Sequence, residues 1–184
     1  MSSLRPSMSR ILAQARRFAR DERGVTAIEF GALALPFFTI ILAIIQTAVM
    51  LLATQVLDSA LEDASRRVRT GEAAAYTPSQ FRDYMCASTF NLLDCSQIQI
   101  RSEVLATGFG AVTINPTVED CTTSTCTFRA SWPAYDPGKC AQVVQISAYY
   151  RYPLIVVLPY FNLKNQPDNY RLINAIRVFR NEPC

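Results

Sequence analysis

The sequence predicts an α+β protein: one long N-terminal helix, a second short helix, then a small antiparallel sheet. Three observations carry that expectation. An uncharged apolar run from Phe30 to Leu57 passes into an amphipathic stretch that ends at Arg69. A helix-start signature follows at Thr77-Pro78-Ser79-Gln80. Beyond residue 97 helical spacing gives way to alternation, in segments rich in branched and aromatic residues.

Residues 1–24 form a basic segment with short apolar runs and no compelling fold signal. Arg5, Arg10, Arg16, Arg17, Arg20 and Arg23 stand there against Asp21 and Glu22. The chain's net charge is +3, so the remainder sits near about −1 and the basic character belongs to this segment alone. It therefore gives no argument for nucleic-acid binding. A basic flank beside an apolar run instead marks the cytoplasmic side of a membrane span.

The long helix is expected over residues 25–70, with residues 30–57 crossing the membrane. At 1.5 Å per residue that run measures about 42 Å, longer than a hydrocarbon core of about 30 Å, so tilt or protrusion takes up the excess. Pro36 lies inside it and, lacking an N–H, is expected to kink the helix. Leu57, Leu61, Ala64 and Val68 continue as a stripe, with Asp58, Glu62, Asp63, Arg66, Arg67 and Arg69 on the other faces. Gly71 is the expected terminator.

The second helix opens with Thr77 as cap, Pro78 in the first turn and Gln80 closing a capping box. It carries Phe81, Tyr84 and Met85 and is expected to end near Leu92 or Leu93. Strands are expected at 97–101, 125–132, 142–152 and 170–179, with a turn at Gly108 and Gly110. Residues 154–158 read as a short edge strand or loop, because Pro153, Pro159 and Pro167 interrupt pairing. Tyr149, Tyr150 and Tyr152 read as sheet packing rather than a ligand-stacking site. Glu119 and Asp120 read as solvated loop acids rather than metal ligands.

All six cysteines, Cys86, Cys95, Cys121, Cys126, Cys140 and Cys184, follow the apolar run. An even count on the predicted outer side reads as a disulfide framework. Zinc is disfavoured, since the chain has no histidine and no Cys-x-x-Cys pair. Many pairings are open. Cys86–Cys95 and Cys121–Cys126 are close in sequence, which leaves Cys140–Cys184. The lack of histidine also removes Ser-His-Asp and Cys-His catalysis. With no glycine-rich phosphate loop either, no enzyme, cofactor or metal is expected.

Glu29 is a lone carboxylate at the head of the apolar run, where it either rests at headgroup level or has a dedicated partner. Its surroundings, Arg23-Gly24-Val25-Thr26-Ala27-Ile28-Glu29-Phe30 followed by Leu33-Ala34-Leu35-Pro36, resemble the TadE family of the Flp (tight adherence) pilus system. The resemblance extends to the arginine-rich helix end at 64–69, the aromatic segment 147–154 and the tail 180–183. It implies cleavage by a prepilin peptidase between Gly24 and Val25, and it implies that Glu29 meets the terminal amine of a neighbouring subunit, with Phe30 beside it. The fold implied is pilin-like. The leader is long for a type IV pilin, and six cysteines exceed what the family pattern requires.

The expected protein is thus a minor pseudopilin acting in the initiation, priming or tip of a Flp pilus. It would sit single-pass in a bacterial inner membrane, N-terminus cytoplasmic, with residues 71–184 as a periplasmic disulfide-bonded domain, or at a pilus tip. The implied partners are the prepilin peptidase, other minor pseudopilins, the major Flp pilin, the inner-membrane assembly platform and membrane lipid. The alternative is an uncleaved membrane-anchored binding or sensor domain.

Overall fold

Helix α1 spans Val25–Arg69, 45 residues without interruption, and runs through Pro36. The computed structural model describes residues 24–112, 119–121, 126–128, 135–155, 157, 161–167 and 169–183. It divides into two units, Met1–Leu42 and Ala43–Cys184.

In the first unit the described chain is apolar helix with its side chains open to the surroundings. Phe30, Leu33 and Leu35 are each 72 % exposed. Thr39 donates its hydroxyl to the Leu35 carbonyl at 2.7 Å, within the turn that follows Pro36.

The second unit contains the rest of α1 and a folded head. Burial on α1 begins at Met50 and continues through Ala53, Leu57, Ala60, Leu61, Ala64, Ser65 and Val68, a single stripe at three- and four-residue spacing. The expected stripe Leu57, Leu61, Ala64 and Val68 is therefore the one the head covers. Arg66, Arg67 and Arg69 occupy the last turn, where cations suit the helix dipole. Gly71 ends it at φ +83°, a backbone conformation that costs glycine little.

Helix α2 is Pro78–Ala87. Its capping box forms as expected: the Gln80 N–H donates to Thr77 Oγ1 at 3.3 Å, and the Thr77 N–H donates to Gln80 Oε1 at 2.9 Å. The helix stops short of the expected Leu92 or Leu93. Ser88 caps it, and Phe90 and Asn91 take positive φ, which turns the chain back toward Cys95.

Strands β1 (Ile98–Val104), β4 (Val143–Pro153) and β5 (Tyr170–Arg180) form an antiparallel sheet in the order β1-β4-β5. The register sets Ile98 opposite Tyr150 and Tyr150 opposite Ile173 at one end; Val104, Val144 and Phe179 line up at the other. A second, two-stranded sheet pairs β2 (Glu119–Cys121) with β3 (Cys126–Phe128). Of the expected strand 125–132, Cys126–Phe128 is strand, and Thr125 and residues 129–132 lie outside the described residues. In 154–158, Leu154, Ile155 and Val157 are not strand, and residues 156 and 158 are not described.

The core lies between the C-terminal half of α1 with α2 and one face of the three-stranded sheet. Leu57, Leu61, Phe81, Met85, Ile98 and Ile146 are fully buried there. Burying each such side chain contributes about 1.5–3 kcal/mol before the entropy of ordering is set against it. Tyr149 and Tyr150 are buried, and Tyr152 packs against the core, so the tyrosines pack the sheet as expected.

One expectation is corrected. Glu119 is neither in a loop nor solvated: it begins β2, is 6 % exposed and pairs with Arg151 Nε at 3.4 Å. The Arg151 guanidinium also lies 4.7 Å from the centre of the Tyr170 ring. A partner on β4, far away in sequence, removes the acid from water.

Candidate functional site

Two surfaces can do something chemically: the head of α1 and the disulfide-bonded domain. Gly24 precedes the first helical residue, and Val25 opens the helix. A Cβ added at Gly24 would meet nothing within 4 Å, so the residue is free of packing duties. Arg23 and the rest of the basic segment lie outside the described residues.

Glu29 is exposed, with Ile28 and Phe30 exposed on either side. Among the described residues it has no ion pair or hydrogen bond. A carboxylate carried on an apolar helix and lacking an internal partner is costly in lipid until a cation meets it. The helix is long and apolar enough to cross a membrane, with mean hydropathy 2.3 over its best window.

The head is held to α1 by polar contacts as well as by its core. Arg177 on β5 donates to Asp58 Oδ2 at 2.6 Å and also pairs with Glu62. The Glu182 N–H donates to the Arg69 carbonyl at 3.1 Å. Tyr135 stacks on Phe81 with ring centres 4.8 Å apart and donates its hydroxyl to the Ala73 carbonyl. Burial pushes the Tyr135 hydroxyl well above the ordinary tyrosine range.

A cavity of about 600 Å³ opens where α1 ends, between Val68, Arg69, Gly138, Lys139, Asn181 and Glu182. Asn181 Nδ2 spans its rim, donating to the Pro137 and Lys139 carbonyls. Gly138 has φ +68°, and an added Cβ would stand 2.7 Å from Val144 Cγ2, so this turn requires glycine. Among the described residues no group of acids and cysteines could hold a metal ion.

Cys86 and Cys95 form a disulfide with Cα atoms 5.9 Å apart. Cys126 and Cys140 each take part in a disulfide as well. The β2–β3 register sets Cys121 opposite Cys126. The expected Cys140–Cys184 pair falls on Cys184, outside the described residues.

Sequence reasoning thus located Gly24, Val25, Glu29 and Phe30 together at the start of one exposed helix. It missed Glu119–Arg151 and Arg177 with Asp58 and Glu62, whose partners meet only through the strand register. The acidic side chains on α1 facing a basic residue in an alternating strand were the available signal for Arg177.

The family model described as TadE-like protein matches residues 24–66, from the glycine through most of α1. That segment is the one whose motif carries the resemblance, and the match suggests a protein associated with the Tad pilus. No curated protein and no solved structure gives a match.

Proposed function

We propose, from the TadE-like match over residues 24–66, that this chain is a minor pseudopilin of a Tad-type pilus. A prepilin peptidase cuts between Gly24 and Val25, and α1 anchors the product in the inner membrane with the head in the periplasm. The protein serves in priming or tip formation, beside other minor pseudopilins, the major pilin and the assembly platform, and it has no catalytic role. The observation that carries this reading is Gly24 followed by an exposed, unpartnered Glu29 at the head of an exposed apolar helix.

The chemistry follows from the carboxylate. Cleavage creates a new ammonium at Val25. In a low-dielectric surrounding, an ammonium from a neighbouring subunit and the Glu29 carboxylate relieve each other's desolvation cost. Register between subunits is then set by the offset between Val25 and Glu29. The disulfide-bonded head adds bulk that a repeating fibre of slender subunits does not accommodate, which supports a role at the tip or in a priming complex.

The mature N-terminus, read by mass spectrometry with and without the cognate prepilin peptidase, tests the reading. A chain starting at Val25 only when the peptidase is present, and not for Gly24→Arg, is the expected result. The open space around Gly24 makes that variant a test of processing rather than of folding. An unprocessed terminus in the presence of active peptidase would overturn the proposal. It would leave an anchored binding domain, for which the cavity beside Arg69 and Lys139 is the specific structural support.

A further inference from the structure

The exposed large apolar side chains of the head are not scattered. Those described are Phe90, Leu92, Phe109, Val112, Ile155, Val157 and Phe161. Their positions follow from the sheet register and from where β5 meets α1.

β5 runs in the same direction as α1. Arg177 meets Asp58 and Glu62, and Glu182 meets Arg69, so moving toward the start of β5 moves toward the start of α1. From Arg177 back to Tyr170 is about 23 Å of strand, equal to about fifteen helical residues, which puts Tyr170 level with about residue 45 of α1. Pro153 pairs with Tyr170, so the described residues next to that end of the sheet stand near that level. They include Ile155, 88 % exposed, with Val157 and Phe161 also exposed. The same level of α1 carries exposed Ile44, Ile45 and Val49, just before burial by the head begins at Met50.

The described part of the connection between β4 and β5 at 161–167 is held in place. Asn165 both donates to the Leu172 carbonyl and accepts from the Leu172 N–H, and Arg171 donates to the Leu163 carbonyl at 2.7 Å. These bonds fix the returning leg, next to Phe161, against β5.

A second turn joins it at this end. The Asp94 N–H donates to the Tyr150 hydroxyl, and Tyr150 pairs with Ile98 and Ile173 at the same end of the sheet. The turn between Cys86 and Cys95, closed by their disulfide, presents Phe90, 83 % exposed, and Leu92. Phe109 lies at the opposite end, just beyond Val104, which lines up with Val144 and Phe179.

We propose that these two turns are a lipid-contact surface: Ile155, Val157 and Phe161, with Phe90 and Leu92, enter the outer interface of the bilayer that α1 crosses. The occupant is lipid because the β4–β5 turn stands near the level of Ile44, Ile45 and Val49, exposed apolar residues of α1 that lie just before burial begins at Met50, and the second turn lies at the same end of the sheet. A partner protein would need to wrap the helix at the same height. The contact holds the head down on the membrane and sets its tilt before assembly. The inference rests on the membrane-anchor reading of α1.

The test uses the full chain in nanodiscs of phosphatidylethanolamine and phosphatidylglycerol whose acyl chains carry bromine, which quenches tryptophan on contact. Trp132→Phe provides the background. If that background does not fold, each variant is read as the difference from the parent protein. Phe38→Trp reports the anchor, Phe161→Trp and Phe90→Trp the two turns, and Phe109→Trp the far end. If Phe161→Trp misfolds, Ile155→Trp reads the same connection.

Expected is an emission loss of about two-fold for Phe38→Trp and for both turn variants, as for groups seated at the acyl boundary, and no loss for Phe109→Trp. An unquenched Phe38→Trp would mean that the anchor reading has failed. A quenched Phe38→Trp with unquenched turns would overturn the lipid contact alone. Turn emission that stays unquenched but shifts blue as protein concentration rises would also overturn it, in favour of a second copy of the chain.

Discussion

The two stretches of α1 are built from similar residues and meet different surroundings. From Phe30 to Val49 the helix carries no charge, large apolar residues lie on all its faces, and none of its side chains is fully buried. From Met50 to Arg69 one stripe is buried; Leu51 and Leu52 beside it are still exposed, and from Asp58 onward charge fills the other faces. Apolar content alone therefore does not say what a helix packs on. Its angular distribution does: an apolar stripe needs one partner, and an apolar cylinder needs a surrounding medium.

The sharpest way to break that comparison is to truncate one leucine in each stretch. Leu57→Ala should cost the head about 2–5 kcal/mol, because Leu57 is fully buried and its removal leaves a cavity. Leu33→Ala should change head stability by less than about 0.5 kcal/mol, because Leu33 is exposed. Urea unfolding in detergent micelles, followed by near-ultraviolet circular dichroism, reads both. Equal effects would show that the two stretches share one folding unit.

The next effect in size is the Cys86–Cys95 disulfide. It closes a short loop, and the chain-entropy account gives about 2.5–3 kcal/mol for a loop of this length. Cys86→Ala with Cys95→Ala should lower head stability by that amount and leave α1 insertion unchanged, as measured by unfolding and by carbonate extraction. Loss of membrane association would mean that the turn carrying Phe90 contributes more than a local clamp.

How much of this was legible in the sequence follows the range of each interaction. The ends of α1 and the capping box of α2 depend on neighbours within a few residues, and they fall where the pattern puts them. So does the Cys86–Cys95 pair. The early end of α2 was not legible, because it depends on positive φ at Phe90, which that residue type does not advertise, although Asn91 is of a type that adopts it readily. The burial of Glu119 depends on Arg151 across a sheet pairing that no local pattern specifies. The exposed connection after Pro153 could be read as an edge strand or loop, but its level beside α1 appears only once Arg177 is placed on Asp58 and Glu62. Gly24, Glu29 and Phe30 sit at the start of α1, where a linear motif places them without help from the tertiary fold; their role belongs to the proposal.

A smaller effect probes how the head is fastened to α1. Arg177 spans Asp58 and Glu62, yet Glu62 is 66 % exposed, so water and salt screen that half of the contact. Arg177→Met keeps most of the apolar stem and should cost about 1 kcal/mol, with the wild-type advantage shrinking as salt rises. Unfolding midpoints in low and high salt measure this. A much larger loss would show that Arg177 does more for the head than pair with two partly exposed acids.

The smallest expected effect lies in the turn between Cys86 and Cys95 and is a matter of pH. Asp94 accepts hydrogen bonds from the Ser96 hydroxyl at 2.7 Å and the Ser96 N–H at 2.9 Å. The hydroxyl bond first, then the backbone bond, holds its carboxyl below the usual aspartate range. A lowered folded-state pKa makes this contribution complete above the unfolded value of about 4, and the contribution disappears as pH falls through the folded value. Carbon NMR of the Asp94 carboxyl should therefore titrate below the free-peptide position, and Ser96→Ala should move it back up. Asp94→Asn keeps an acceptor for the Ser96 N–H but removes the titration. In that variant the local stability of the turn, read by amide exchange at Ser96, should no longer fall with pH below about 4. If exchange at Ser96 in the wild-type protein is flat across that range, the carboxylate does not hold the turn. The placement of Phe90 and Leu92 then falls to the disulfide, the Asp94 to Tyr150 bond, the bonds of Thr89 and Leu92 within the turn and the buried Leu93.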